Sequence, residues 1–212
     1  YTAELDGNTA NDLRDKRTLL IDELSKLVNI DVNEVVVGKL PNGKDDKRMI
    51  ITISGKAFVD NFDVNKLTIK QRENKLNEEE DIPNLYEVLW EDGNSLSVRG
   101  GELKGLLDVR DGNDGENGSP NYKGIPYYIR KLNEFVRTFA IAFNEGIVGN
   151  DKVAGHVDGY GTNGNTGIRF FTILGEENKP ISSADFMSAG DIDACYGKMT
   201  AKNFTVSSDI LD

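Results

Sequence analysis

The chain has 212 residues, enough for one large domain or two small ones, and its 38% hydrophobic and 29% charged residues are ordinary for a globular protein. A net charge of −11 argues against binding a nucleic-acid backbone, which requires a basic stripe, and no apolar run reaches membrane-spanning length. Cys195 is the only cysteine and His156 the only histidine, which excludes an internal disulfide, a cysteine-based zinc cage and any metal site that needs two or three histidines.

The first residues, Tyr1 to Asp6, carry neither a basic flank nor an apolar core, so no cleavable signal peptide is read there. Leu13, Leu20, Leu24, Leu27 and Val28 then recur at spacings of seven, four, three and one, which predicts a helix over about 11–29 with one apolar stripe. Asn8, Thr9 or Asn11 suits its N-cap, and Glu4, Asp6 and Asp12 suit its dipole. The β-branched runs Val35 to Val37, Met49 to Ile53 and Leu67 to Ile69 predict strands, with Pro41-Asn42-Gly43 as the first turn. Glu73 to Asp81 reads as a solvated acidic loop or edge. Leu85 to Trp90, Asp92-Gly93-Asn94, then Leu96 and Val98 read as a hairpin, with Tyr86, Val88 and Trp90 on its buried face.

Gly100-Gly101 ends the β region, and residues 102–110 predict a short helix with Leu103, Leu106 and Leu107 on one side. Residues 111–121 form a polar loop. A second long helix opens near Pro126, carries Tyr128, Leu132, Phe135, Val136, Phe139 and Phe143 as its apolar stripe, and stops at Gly146. It is expected to lie against the first helix, each covering the other's stripe. The rest is glycine-rich loop with strands at Ile168 to Ile173 and Ala201 to Val206. The fold class read from this order is α+β. Residues 1–30 and 122–150 form a stem of long antiparallel helices. Residues 31–121 form an inserted antiparallel β module, and residues 151–212 a loop-rich β segment.

No residue pattern carries catalysis. A triad would have to join His156 to a serine or Cys195, and no Gly-x-Ser-x-Gly elbow accompanies it. The run Gly159 to Gly167 is glycine-rich but lacks the Gly-Lys-Ser/Thr ending of a phosphate loop, so it reads as a connector. Asp111, Asn113 and Asp114, with Asp108 and Glu116 nearby, offer hard oxygen donors for calcium. EF-hand spacing is not met, because Gly115 holds the fifth position, and a solvated turn is the preferred reading there. Asp158 is a weaker candidate. No catalytic, cofactor or metal residue is therefore assigned.

Three motifs resemble the bacterial flagellar hook-associated protein 1 family. The stretch from Asn11-Asp12-Leu13 to Leu27-Val28 resembles that family's Asn-Asp-Leu-x-Asp-x-Arg-x-x-Leu-Leu helix. Gly100-Gly101-Glu102-Leu103-Lys104-Gly105-Leu106-Leu107-Asp108-Val109-Arg110 resembles its Gly-Gly-Glu-Leu-x-Gly-Leu-Leu-Asp-x-Arg segment. Leu132 to Asn144 resembles its Leu-x-x-Leu-Ala-x-x-Phe-x-x-x-Phe-Asn helix. Gly155-His156, Gly167-Ile168-Arg169-Phe170-Phe171 and Asn203 to Leu211 follow in the family's order. Residues 39–98 match no part of its pattern and read as an expanded β insertion.

The resemblance implies a central part of such a protein, lacking the terminal helices, and a non-catalytic structural subunit between flagellar hook and filament. It implies self-association in a ring, with the hook protein and hook-associated protein 3 as neighbours. It also implies an extracellular place on the flagellum, reached without a cleaved signal peptide, and no nucleic-acid or membrane partner. The rival reading is an extracellular surface binding module, adhesin-like or calcium-dependent, built on the β region.

Overall fold

The computed structural model describes residues 10–40 and 43–211, which combine helices with antiparallel strands in an α+β fold. The chain divides into two compact units, Tyr1–Gly124 and Ile125–Asp212.

In the first unit, α1 spans Asn11–Leu27, a run free of glycine and proline and rich in good helix formers. Asn8, Thr9, Glu4 and Asp6 lie outside the described residues. Asn11 is the first helical residue, and the capping position is Ala10, whose side chain makes no capping bond. The helix ends where Val28 turns extended, and its amide still donates to the Leu24 carbonyl. The expected stripe splits in two. Leu24 and Val28 pack toward Ile53 and Trp90, whereas Leu13, Leu20 and Leu27 are 57%, 64% and 52% exposed.

Strand β1 (Ile30–Lys39) pairs antiparallel with β2 (Asp45–Ile53) from Ile30 opposite Ile53 to Lys39 opposite Asp45, with a bulge between Val36 and Gly38. Two strands read from short valine and isoleucine runs thus form one long hairpin. Pro41 and Asn42 lie outside the described residues. Beyond them Gly43 has φ +80° and donates its amide to the Leu40 carbonyl. β3 (Lys56–Asp60) and β4 (Asp63–Val64) complete a sheet of order β1-β2-β3-β4. A separate ladder joins β5 (Leu67–Gln71) to β6 (Tyr86–Trp90).

The hairpin expected after Trp90 is corrected. Its turn forms, with the Trp90 amide donating to the Asn94 carbonyl at 2.9 Å and Gly93 at φ +83°. The partner of β6, however, is β5, and the returning segment makes only the single bridge Leu89–Ser95. Leu96 and Val98 instead pack on the core of Val28, Ile53 and Trp90. Covering the large indole yields more than extending a ladder. The expected burial of Tyr86, Val88 and Trp90 is also corrected, since only Trp90 is buried and Tyr86 is 51% exposed. The strand plunges inward along its length.

Helix α2 (Glu102–Asp111) begins at Gly101, and here glycine is required twice over. Its φ is +88°, and a Cβ there would lie 2.7 Å from both the Leu27 carbonyl oxygen and the Val28 Cα. The end of α1 and the start of α2 therefore meet backbone to backbone. Gly101→Val is expected to cost about 3 kcal/mol or more in urea unfolding. Gly105→Ala, inside α2 with nothing within 4 Å of the added Cβ, should instead stabilise by about 1 kcal/mol. Of the leucines on α2, Leu103 and Leu107 are half-buried and Leu106 is exposed.

The second unit is built on α3 (Ile125–Glu145), which carries Pro126 in its first turn and ends, as expected, at Gly146 with φ +69°. Its core holds Ala140, Phe186, Cys195, Tyr196 and Met199. The strands expected at 168–173 and 201–206 are shorter, β9 (Phe171–Ile173) and β10 (Phe204–Val206), paired antiparallel. A two-residue ladder, β7 (Ile147–Val148) and β8 (Asp151–Lys152), lies between α3 and β9. Two short helices that no apolar period announced follow, α4 (Ser183–Phe186) and α5 (Ile192–Gly197). Their caps mark them: Ser182 and Asp191 accept from the amides of Asp185 and Ala194.

Candidate functional site

Most of the stripe expected to bury α3 stays exposed, with Val136 alone of its residues packed against the core of Ala140 and Tyr196, which is the main correction to the sequence reading. Tyr128, Leu132 and Phe135 are 60%, 55% and 66% exposed, and Phe139 and Phe143 are 42% and 43% exposed. The inward face is Asn133, Arg137, Ala140 and Asn144, spaced four, three and four along the helix. These side chains bind backbone. The Ala201 amide donates to Asn133 Oδ1 at 2.9 Å, and Arg137 Nε donates to the Met199 carbonyl at 2.8 Å.

Asn144, fully buried, acts like one residue of a β-ladder. Its Nδ2 donates to the Phe171 carbonyl at 2.7 Å, and its Oδ1 accepts from the Phe171 amide at 3.0 Å. The neighbouring Glu145 is buried too. It accepts from Arg169 Nε at 2.6 Å, from Arg169 Nη2 at 3.2 Å, and from the Tyr196 hydroxyl at 2.9 Å. Burial, reinforced by the Glu145 charge, pushes the Tyr196 hydroxyl well above its ordinary pKa. It therefore remains a donor at any physiological pH. The loop-rich segment and its short β9–β10 ladder are thus tied to the helix by polar side chains.

Outside this clamp lies an aromatic surface. Phe139 packs on Phe171 at 5.3 Å between ring centroids, and Phe171 stacks on Phe204 at 4.8 Å. Phe143 touches Phe170 at 5.4 Å. His156 belongs to this surface. Its ring stacks on Phe143 at 6.0 Å and meets Phe170 edge-on at 5.4 Å, and Nδ1 donates to the Ile168 carbonyl at 2.8 Å. Cys195, the other group a triad would need, is fully buried in the apolar core beside Ala140 and Phe186.

In the first unit the calcium candidates have other work. Asp111 is only 4% exposed, and two guanidinium groups each grip its carboxylate at both oxygens. Arg72 does so at 3.0 and 2.7 Å, and Arg110 at 2.8 and 2.7 Å. Burial alone would raise the Asp111 pKa, but hydrogen bonds from Arg110 and Arg72 outweigh it and the net shift is downward. Arg110 also donates to the Tyr86 carbonyl at 2.7 Å, fastening β6 to α2. Asn113 is buried and donates from Nδ2 to Asn77 Oδ1 at 3.0 Å, while Asn77 Nδ2 donates to the Asp111 carbonyl at 3.2 Å.

The solvated reading of 73–81 and of 111–121 is therefore corrected at Asn77, Asp81, Asp111 and Asn113, which form one buried polar lock. Asp81 holds the loop by accepting from the Leu76 and Asn77 amides. Asp108 pairs with Lys104, and Asp114 and Glu116 stay exposed. Among the described residues, no group of three or more His, Cys, Asp or Glu side chains is placed to hold a metal ion.

Asp158 caps its own turn, accepting from the Gly155 amide at 2.9 Å. The glycine-rich run lines a hollow of about 380 Å³ with His156, Tyr160, Thr162 and Asp209. Its one charged lining residue is an acid, which repels phosphate. No helix among the described residues is long and apolar enough to cross a membrane.

The motif residues thus collect in two places. Gly101, Lys104, Asp108 and Arg110 fasten α2 in the first unit. Asn144, Gly155, His156, Arg169, Phe170 and Phe171 gather at the C-terminal end of α3 in the second. Polar groups are thus locked inside both units, while apolar residues on both long helices stay exposed. The chain matches the model of the flagellar hook-associated protein FlgK helical domain over residues 1–171, and it belongs to that family of structural flagellar components. Searches of curated proteins and of solved structures returned no match.

Proposed function

We propose that the chain is a structural subunit of the bacterial flagellum at the junction between hook and filament. Its place is outside the cell, and it works by contact, with no catalytic step. In the assembled flagellum its copies form a ring, with the flagellar hook protein on one side and hook-associated protein 3 on the other. Residues 1–30 and 122–150 supply the long helices, residues 31–121 an inserted β module, and residues 151–212 a loop-rich segment.

The observation that carries this reading is the outward apolar face of both long helices. Full burial of a Leu or Phe side chain is worth about 1.5–3 kcal/mol. Leu13, Leu20, Leu27, Leu132 and Phe135 are each more than half exposed, so most of that gain is still available to a contact. The polar locks have a matching purpose. Side chains such as Asn144 and Asp111 hold loops in one geometry, and a subunit that bears torque has to keep its faces in register.

Immunogold labelling tests the location. An epitope placed at the β1–β2 turn of the intact protein should mark isolated flagella at one narrow band where hook meets filament. Label spread along the filament, or absent from the flagellum, would overturn the proposal.

A further inference from the structure

In the second unit the glycine-rich run is held in shape by its own backbone. The Gly161 amide donates to the Asn165 carbonyl at 2.8 Å, and the Gly164 amide to the Gly161 carbonyl at 2.9 Å. The Gly167 amide donates to the Val157 carbonyl at 2.9 Å, and the Thr166 hydroxyl joins it there. Because the backbone satisfies itself, the side chains of the loop are left unspent. Among the described residues, Tyr160, Thr162, Asn163 and Asn165 make no side-chain hydrogen bond, and all four line the hollow of about 380 Å³. His156 lines it too. With Nδ1 given to the Ile168 carbonyl, its Nε2 is an acceptor in the neutral ring.

The chemistry of this lining selects a class of ligand. It holds no lysine or arginine, so nothing there compensates a phosphate or a carboxylate. Asp209 is its single charge, and Oδ2 is already held by the Ser183 amide at 2.6 Å and the Ser207 hydroxyl at 3.1 Å. An apolar ligand would strip water from the amides and hydroxyls and return no hydrogen bond. A neutral ring bearing hydroxyls meets every requirement. Asn163, Asn165 and Thr162 both donate and accept, as a sugar hydroxyl does, and His156 accepts. Tyr160 is 84% exposed and offers an aromatic face to the C–H face of a pyranose. The volume lies within the about 300–1,000 Å³ of small-molecule sites. A loop already fixed by its own hydrogen bonds loses little freedom on binding.

We propose that this hollow binds a short uncharged saccharide, with Tyr160 against the face of one ring and Thr162, Asn163, Asn165 and His156 on its hydroxyls. The site rests on the second unit alone and needs no assembly. Loss of sugar binding would leave the junction role standing, and a misplaced immunogold label would leave the sugar titration unaffected.

Titration of this chain with maltose, lactose and N-acetyllactosamine, each to about 10 mM, is the test, followed by calorimetry and by the backbone amide shifts of nitrogen-labelled protein. At least one of the three should bind with a Kd below about 10 mM, with the shifts concentrated in residues 156–168. Tyr160→Ala and Asn163→Ala should each weaken binding by about fivefold or more without moving the melting temperature. Tyr160→Phe, which keeps the ring, should bind within about twofold of the unaltered chain. Phe62→Ala removes another exposed aromatic, in the first unit, and should change nothing. No binding of any of the three sugars, shifts centred outside residues 156–168, binding indifferent to Tyr160→Ala, or competition by inorganic phosphate would each overturn the proposal.

Discussion

Replacing Asp111 with alanine is expected to destabilise the first unit by about 3 kcal/mol, among the largest effects of any single polar substitution in this chain. The loss is not that of one surface ion pair, which is worth about 1 kcal/mol or less. Asp111 is the shared acceptor of two guanidinium groups, and the Arg72 and Arg110 side chains are themselves only 17% and 29% exposed. Removing the carboxylate leaves two like charges facing each other with little water to screen them. β5, β6 and the end of α2 all meet at this point, so the damage should spread to the ladder.

The pH dependence carries the same signature. The folded pKa of Asp111 lies below its ordinary 3.8, so the carboxylate binds fewer protons in the folded than in the unfolded chain. Its contribution is therefore fully present above the unfolded value and is lost as pH falls through the lower folded value. Urea unfolding between pH 7 and pH 2 should show stability falling in that acid range. Asp111→Asn should flatten that part of the curve while lowering the plateau.

In the second unit, Asn144→Ala should cost about 3 kcal/mol or more, while Phe135→Ala should change stability by about 0.5 kcal/mol or less. By size and hydrophobicity alone the order would be reversed, since Phe→Ala in a core costs about 3–5 kcal/mol. Asn144 is fully buried and serves the Phe171 backbone and the Tyr196 hydroxyl, so its loss orphans groups that have no water to turn to. Phe135 is 66% exposed and stacks only along the helix surface on Phe139, at 6.2 Å between centroids. Thermal unfolding of the two variants side by side would decide which face of α3 is inside.

The contrast marks where a sequence can be read and where it cannot. Long helices were legible because a 3.6-residue period repeats over many turns, and α1, α2 and α3 lie where that period put them. The strands of the β1–β2 hairpin were legible at their valine and isoleucine centres. β3 was missed because Lys56 to Asp60 carries one aromatic and one valine among charged residues. What periodicity does not tell is which stripe faces in. On α3 two stripes share the 3–4 spacing, Leu132-Phe135-Phe139 and Asn133-Arg137-Ala140-Asn144, and the polar one is buried. The available signal was a pair of asparagines at helix-period spacing, residues that gain little on an exposed helical surface and much when they bind a neighbouring backbone.

The polar locks were hidden for a different reason. Arg72 and Asp111 are 39 residues apart, and Glu145 and Arg169 are 24 apart. Charge counting reads both as surface, because most acids on such a chain are surface. The motif residues pointed at these places without explaining them. Arg110 fastens β6 to α2, and Asn144 fastens the Phe171 backbone to α3.

The central claim is that the exposed faces of α1 and α3 serve assembly and not folding. It is tested most directly by placing Leu20→Glu and Phe135→Glu together in the intact protein and measuring both properties. The isolated chain carrying both substitutions should melt within about 3 °C of the unaltered one, since each position is more than half exposed. Bacteria expressing the altered protein should nevertheless fail to build filaments on their hooks. Normal filaments with both charges in place, or a chain that no longer folds, would contradict the account.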